Sequence, residues 1–165
     1  MKHYFIIGSI FIVLAIGSLF LFTKRTAEIE TIHYSMNEID EALKALEFDI
    51  KLPTYLPREM TMKEATISLV DKKQIMIGFR YSNLDNTYSY EFSATKSNES
   101  LKDIASNNQY WRWTETEVNE NKALIGINEK TMDLNIVFRK DKILYRFYTK
   151  KIEESTLLKI AASLE

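Results

Sequence analysis

The chain has 165 residues, a formal net charge of −1 and no cysteine. A nucleic-acid-binding protein usually carries a clear excess of Lys and Arg, so this charge argues against a nucleic-acid partner. The absence of cysteine excludes disulfides, thiolate zinc sites and cysteine catalysis. Aromatic residues make up 12% of the chain, with only four glycines and two prolines, a composition typical of a sheet-rich domain.

An uncharged and almost entirely apolar segment extends from Tyr4 to Phe22. At about 1.5 Å per residue, a helix of this length nearly spans a hydrocarbon core of about 30 Å. The segment is longer than the apolar part of a usual signal peptide, and no clear small-residue cleavage site follows it. We therefore predict an uncleaved transmembrane anchor. The alternative is a helix buried in a soluble core, which a domain this small accommodates poorly.

The segments around the anchor set the expected domain organisation. Residues 1–3 form a short N-terminal tail, and residues 23–34 form a polar connector that either continues the helix or frays. Residues 35–165 are long enough for one globular domain. The charges on the two sides of the anchor are nearly balanced, so the positive-inside rule does not fix the orientation. We expect a single-pass protein of the cell membrane with its domain outside the cytoplasm.

A short amphipathic helix is predicted from Met36 to Glu47. Ser35 and Glu38 have the spacing of a capping box. Behind them, Ile39 and Leu43 recur at helical spacing. We expect this apolar stripe to pack on the domain.

A proline-containing segment, residues 52–57, follows this helix, and we call it the strap. Proline disfavours helix for the residue before it, so Leu52-Pro53 and Leu56-Pro57 predict extended backbone. We expect Leu52, Tyr55 and Leu56 to supply apolar contacts. The strap is therefore predicted to be a rigid entry to the sheet.

After the strap, apolar residues alternate with polar ones, which predicts β-strands separated by turns. The predicted strands are 65–70, 74–82, 88–92, 109–118, 123–128, 132–138 and 143–149. Met132 is expected on the inner face of the sixth strand, and a closing helix is predicted from Glu153 to Leu164. The predicted fold class is α+β, with an antiparallel sheet of about seven strands flanked by two helices and preceded by one transmembrane helix.

Two segments, ALKALEFDIKLPTYLPREM and LYRFYTKKIEESTLLKIAASL, carry a family resemblance. Together they resemble the domain-of-unknown-function family 4367 of Gram-positive spore formers, over about residues 39–164. The resemblance implies that the strap opens an antiparallel sheet and that a C-terminal helix closes it. The motif residues, expected to be structural, are Leu52, Pro53, Tyr55, Leu56, Pro57, Leu157, Leu158, Ile160, Ala161, Ser163 and Leu164.

The same resemblance suggests a cellular setting. The family occurs in exported, membrane-anchored or sporulation-associated proteins. Its layout is also similar to the C-terminal part of lipoprotein-carrier and sigma-regulator sensor domains, whose curved sheet holds acyl chains or a partner. A ligand inferred in this way rests on analogy of fold alone.

No catalytic or metal-binding pattern stands out in the sequence. The two histidines, His3 and His33, lie outside the predicted domain, which argues against a histidine metal cluster or a Ser-His-Asp triad within it. Glu115 and Glu117 are carboxylates of the type used in glycoside cleavage, but such a pair on a strand is ordinary surface. We predict no catalytic residue, no metal site and no cofactor.

Five aromatic residues are the candidate ligand-binding residues: Tyr81, Tyr88, Tyr90, Trp111 and Trp113. In one arrangement they line a concave face that stacks on sugar rings or holds an acyl chain. In the other they form the core between the sheet and the helices, which is the commoner position for aromatic residues in strands.

The expected function is non-catalytic binding or regulation at the cell envelope. The membrane is a partner through Tyr4–Phe22, and the other candidate partners are a lipid, a glycan or an envelope protein. The alternatives are a structural module that pairs with another membrane protein and a cell-wall hydrolase.

Overall fold

The computed structural model describes residues 29–57, 59–107 and 110–165. The predicted anchor, Tyr4–Phe22, lies outside these residues. Within the described part of the chain, no helix combines the length and the apolar character needed to cross a bilayer.

An eight-stranded antiparallel sheet lies at the centre of the described structure. The strands are β1 (Ile29–Ser35), β2 (Thr61–Val70), β3 (Lys73–Ser82), β4 (Ser89–Lys96), β5 (Trp111–Val118), β6 (Asn121–Asn128), β7 (Leu134–Lys140) and β8 (Ile143–Lys150). Their order in the sheet is β1-β2-β3-β4-β8-β7-β6-β5. Two four-stranded meanders are thus joined by the pairing of β4 with β8. The predicted α+β class with a largely antiparallel sheet is confirmed, with eight strands in the described residues instead of about seven.

The additional strand, β1, corrects the prediction for the connector. Ile29–Ser35 neither continues a helix nor frays, because it pairs antiparallel with β2 along its whole length. Its Ile and Thr residues favour extended backbone, and β2 offers it a ten-residue edge. Tyr34 is the one residue of β1 that is partly buried. The strand therefore shows little of the burial alternation by which strands are predicted.

Two-residue turns connect three of the hairpins, and both residues of each turn have positive φ. The pairs are Asp71-Lys72, Asn119-Glu120 and Asp141-Lys142. This geometry is that of type I′ turns, whose twist matches that of the flanking strands. The turns predicted near these residues are confirmed, although they are shorter than predicted because the strands extend further.

Helices and the strap pack against one face of the sheet, which we call the covered face. The helices on this side are α1 (Ile39–Ala45) and α3 (Glu154–Ala162). The core beneath them is rich in aromatic rings whose neighbouring centroids lie 4.9–6.2 Å apart. These rings belong to Phe79, Phe92, Phe138, Tyr145 and Phe147, all of which are buried.

The helix predicted from Met36 to Glu47 is present in a shorter form. A 3₁₀ turn, Met36–Glu38, precedes α1. The backbone N–H of Ser35 donates to the Glu38 carboxylate at 2.8 Å. The Gln74 side chain donates to the carbonyl of Ala45 at 2.7 Å and accepts from the N–H of Glu47 at 3.0 Å. The helix ends at Ala45 because the backbone of Leu46 is extended, with a ψ of 137°, and Gln74 pairs two of the backbone groups left free there.

The strap is hydrogen-bonded to the C-terminal end of the chain. Pro53 forms an isolated bridge with Leu164. The carbonyl of Ser163 accepts from the N–H of Thr54 at 3.1 Å, and its hydroxyl accepts from the N–H of Tyr55 at 3.0 Å. The two sequence motifs are therefore in direct contact, although they lie at opposite ends of the domain sequence.

The closing helix buries the residues that its helical spacing predicts. Its buried side chains are Leu157, Ile160, Ala161 and, just beyond the helix, Leu164. Leu158 and the strap residue Leu52 are partly buried against the same core. The closing motif thus packs on the covered face.

Three residues expected to make apolar contacts are instead exposed. Met132 is 69% exposed, Tyr55 43% and Leu56 39%. Met132 has a φ of 59° and belongs to the β6–β7 turn, where its N–H donates to the carbonyl of Asn128. The strap is held by the backbone bridge at Pro53, which leaves Tyr55 and Leu56 directed outward.

The opposite face of the sheet is covered only in part by the described residues, and we call it the open face. A short helix, α2 (Leu101–Asn107), lies over its β7–β8 side. Ile104 of this helix packs on Val137 and Leu144. The segment containing α2 is predicted from the sequence as a helical turn or loop, and the helical alternative is confirmed.

Candidate functional site

Side chains from the central strands form two adjacent rows on the open face. Thr66, Gly78, Ser93 and Arg146 lie side by side across β2, β3, β4 and β8. The neighbouring row across the same strands contains Glu64, Arg80, Glu91 and Tyr148. These positions alternate with the buried aromatic residues of the covered face, so the pleat of the strands directs them to the other side.

The two rows border a cavity of about 370 Å³, which we call the central groove. Gly78 lies on its floor and, because it has no side chain, keeps the groove open between its neighbours. A Cβ added at Gly78 would lie 3.0 Å from Oγ1 of Thr66. Met76 adds an apolar side chain to the lining.

The charges of the groove are only partly paired. The guanidinium of Arg80 lies 3.1 Å from the Glu64 carboxylate. The side chain of Arg146, in contrast, forms no hydrogen bond or ion pair with any residue that the structure describes. Arg146 is partly buried, whereas Glu91 is exposed at the rim. The groove therefore combines one unpaired cation with hydroxyls from Thr66 and Ser93.

Tyr148 forms one wall of the groove. Its hydroxyl donates to the Asp133 carboxylate at 2.7 Å. Burial, this hydrogen bond and the nearby charges of Asp133 and Glu91 together raise the pKa of the Tyr148 phenol to about 12. Tyr148 is therefore neutral at physiological pH, and its hydroxyl is fixed by the hydrogen bond to Asp133.

An aromatic cluster continues from this wall toward β5. Trp111 meets Tyr148 edge-on at 6.1 Å and stacks with Trp113 at 5.9 Å. Trp113 lies across Gly126, where an added Cβ would come within 2.6 Å of the indole ring. Two buried polar atoms in this area, Nε1 of Trp113 and Oδ1 of Asn135, have no hydrogen-bond partner among the described residues.

The structure does not bring the five candidate aromatic residues together. Tyr81 and Tyr90 stack at 4.5 Å inside the core on the covered face. Burial raises the pKa of Tyr81 to about 12, and burial together with Tyr81 raises the pKa of Tyr90. Tyr88 is exposed in the β3–β4 turn region. Trp111 and Trp113 are thus the members of the set that lie on the open face.

Several residues of the central groove are absent from the sequence-based candidates. The main ones are Arg80, Glu91, Arg146 and Tyr148. The alternation of the sequence does contain a signal for them. These polar residues occupy every second position of strands whose other positions are buried. Their meeting point depends on the β4–β8 pairing, which the local pattern does not specify.

A larger cavity, of about 830 Å³, lies between α2 and the β5–β6 hairpin. Its charged residues are all exposed: Lys102, Glu115, Glu117 and Lys122. Such solvated charges interact weakly with a ligand, so we regard the smaller central groove as the better candidate site. Among the described residues, no group of three or more His, Asp or Glu side chains is arranged to hold a metal ion.

A family model described as "Domain of unknown function (DUF4367)" matches residues 50–164. The match begins just before the strap, covers β2 to β8 and ends at Leu164. No curated protein and no solved structure matches the chain. Because the matched region is well over half of the sequence and contains both motifs, the chain belongs to the DUF4367 family.

Proposed function

We propose that this protein is a non-catalytic binding domain, anchored in the cell membrane by Tyr4–Phe22 and located outside the cytoplasm. In this role the covered face of the sheet is structural, and the open face binds a ligand or partner at the cell envelope. The observation that carries the proposal is the central groove with its unpaired Arg146. A partly buried cation without an acceptor is unfavourable for stability alone.

The contrast between the two faces supports this assignment. The covered face holds the buried aromatic core, so its rings have no free surface for a ligand. The open face has hydroxyls, charges and partly exposed rings in one continuous region. A concave site with a few placed polar groups is the usual form of a ligand-binding site.

A second candidate function, a structural module that pairs with another membrane protein, is favoured by a different observation. Exposed apolar side chains occur on the opposite side of the domain, at Met36, Tyr55 and Leu56. Such residues contribute to protein interfaces when they form a contiguous patch. This function would use the strap and the start of α1 and would leave the central groove unoccupied.

Site-specific photo-crosslinking in intact membranes separates the two functions. A photoreactive amino acid at Ser93 lies in the groove, and one at Lys159, an exposed residue of α3, serves as the matched control. We expect a discrete adduct from position 93 and none from position 159. Adducts formed only from positions 36 or 55 would support the structural module instead, and the absence of an adduct at position 93 would contradict the proposal.

A further inference from the structure

We infer that the central groove binds the anionic group of an acidic carbohydrate, with Arg146 as its counter-ion. This inference rests on the proposed function, because it names the class of ligand for the same face. The anionic group is a carboxylate or a phosphate, the two acids that a guanidinium binds with paired hydrogen bonds.

Arg146 is the cation available to such a ligand. It lies on β8 between Val137 and Ser93 in the sheet register, where neither neighbour offers a carboxylate. The other arginine of the groove, Arg80, is already paired with Glu64 at 3.1 Å. An incoming acid would therefore meet one unpaired guanidinium at a partly desolvated position, where a charge-assisted hydrogen bond is stronger than in water.

The remaining polar groups favour a ligand with hydroxyls. Ser93 and Thr66 carry hydroxyls that both donate and accept, and Glu91 offers an acceptor at the rim. Glu91 would also repel a second negative charge placed close to it. The groove thus matches a molecule with one acidic group and several neutral hydroxyls around it.

The aromatic cluster adds apolar surface beside this polar site. Tyr148 lines the groove and contacts Trp111, which stacks with Trp113. Aromatic rings pack well against the apolar faces of sugar rings. A cavity of about 370 Å³ is at the lower end of the size range of ligand sites and suits a single sugar unit, with the cluster in position for a neighbouring one.

A peptide ligand fits this location less well. Peptides that bind sheets usually add a strand at an edge. The groove instead lies over β3, β4 and β8, which are internal strands paired on both sides. Their backbone groups are already used in the sheet, so recognition here depends on side chains.

Calorimetric titration of the full chain in detergent micelles tests the inference. The probes are galacturonate, its methyl ester as the matched neutral compound, and glucose 6-phosphate. We expect at least one acidic probe to bind and the methyl ester to bind roughly tenfold more weakly or not at all. Tighter binding of galacturonate assigns a carboxylate and tighter binding of glucose 6-phosphate assigns a phosphate, and either result supports the inference.

Two variants of Arg146 and one control variant complete the test. Arg146→Gln is expected to weaken binding of the acidic probe roughly tenfold or more, and Arg146→Lys, which keeps the charge but loses the planar fork, to give an intermediate loss. Arg112→Gln is the control. Arg112 is exposed, lies outside the groove and forms an ion pair with Glu129, with 3.5 Å between the guanidinium and the carboxylate. The control variant should bind as the wild type does, and thermal unfolding checks that each variant is folded.

The inference is overturned if galacturonate and its ester bind with the same measurable affinity, if Arg146→Gln binds the acidic probe like the wild type, or if neither acidic probe binds. Its failure is distinguishable from failure of the proposed function. An adduct from position 93 in membranes, obtained while all acidic probes fail, would leave the open face as a binding surface and assign it another class of ligand.

Discussion

Gly126 determines how the aromatic cluster is packed. Trp113 and Gly126 are opposite each other in the β5–β6 register, and the indole lies on the position that a side chain would otherwise occupy. Gly126→Ala would place a Cβ about 2.6 Å from the ring, so Trp113 must move. We expect the variant to lose about 1–3 kcal/mol of stability, as overpacked sites do, and to change its tryptophan emission.

Gly78→Ala is the matched control for this substitution. Its Cβ would meet only Oγ1 of Thr66, at 3.0 Å, and that hydroxyl can rotate away. We expect a smaller change in the free energy of unfolding than for Gly126→Ala and no change in emission. Equal effects of the two substitutions in urea unfolding would show that contact with Trp113 does not set the requirement for glycine.

Burial of Tyr81 makes the free energy of unfolding depend on pH in the alkaline range. Burial raises its pKa from 10.0 to about 12 in the folded state. Between these two pH values the unfolded state loses a proton that the folded state keeps, so the free energy of unfolding falls as pH rises. The contribution of Tyr81 to the free energy of unfolding is fully present below pH 10. Above pH 10 it decreases by up to about 1.4 kcal/mol per pH unit.

Tyr81→Phe should therefore flatten the dependence of stability on pH in this window. Urea unfolding at pH values from 10 to 12 measures the effect, and Tyr110→Phe, which changes an exposed ring, serves as the control. If the Tyr81 variant kept the wild-type slope, the phenol would not be titrating from a buried position.

At the scale of elements, the contact between the strap and the C-terminal end explains why two distant motifs occur together. Ser163 accepts hydrogen bonds from Thr54 through its carbonyl and from Tyr55 through its hydroxyl. Ser163→Ala removes the bond from the Tyr55 amide and the bond that the Ser163 hydroxyl donates to the Ile160 carbonyl at 2.7 Å. It leaves the backbone bond from Thr54 in place. We expect a loss of about 0.5–1.5 kcal/mol for each bond removed and faster hydrogen exchange at the Tyr55 amide, with little change at Thr54.

Hydrogen exchange resolved by NMR measures both amides in one experiment. Ser155→Ala, an exposed position in the first turn of α3, is the control and should leave the strap unchanged. Unaltered protection of Tyr55 in the Ser163 variant would mean that the bond to the Ser163 hydroxyl does not hold this part of the strap.

The elements with one buried and one exposed side could be predicted from the sequence. The closing helix is an example, because Leu157, Ile160 and Ala161 recur at helical spacing and all pack in the core. β1 could not, since almost all of its residues are exposed and its conformation depends on the edge of β2. The pairing with β2 therefore determines the extended conformation of β1, and the local sequence pattern does not predict it.

The candidate site shows the same division. The sequence predicts that Trp111 and Trp113 lie on the same face, because residues two apart on a strand point to the same side of the sheet. The central groove was not, because Ser93 and Arg146 become neighbours only when β4 pairs with β8. The positions of the helices also decide which face of the sheet stays open. These positions depend on the packing of the whole domain.

At the scale of the whole molecule, the proposed anchor restricts how the domain sits at the membrane. The chain between Phe22 and Ile29 can span at most about 25 Å. Ile29 pairs with Val70, beside the Asp71-Lys72 turn. The turn that contains Leu84 lies at the other end of β3, which is ten residues or about 33 Å long. The proposal therefore brings Lys72 closer to the bilayer than Leu84.

The absence of native cysteine makes this prediction straightforward to measure. A fluorophore attached to Lys72→Cys should be quenched more strongly by nitroxide-labelled lipids than one attached to Leu84→Cys, with the full chain reconstituted in vesicles. Both positions are exposed, so labelling is comparable. Equal quenching, or stronger quenching at position 84, would contradict the proposed arrangement.

Hydroxyl-radical footprinting of the full chain tests most directly whether the open face is the functional surface. Oxidation is compared in native membranes and after purification, at Met76, Trp111 and Tyr148 on the open face. Met132 and Tyr55, which are exposed elsewhere, are the internal controls. The account predicts protection of the open-face residues in native membranes with the controls unchanged. Equal oxidation of the open-face residues in both states, or protection confined to Met132 and Tyr55, would contradict it.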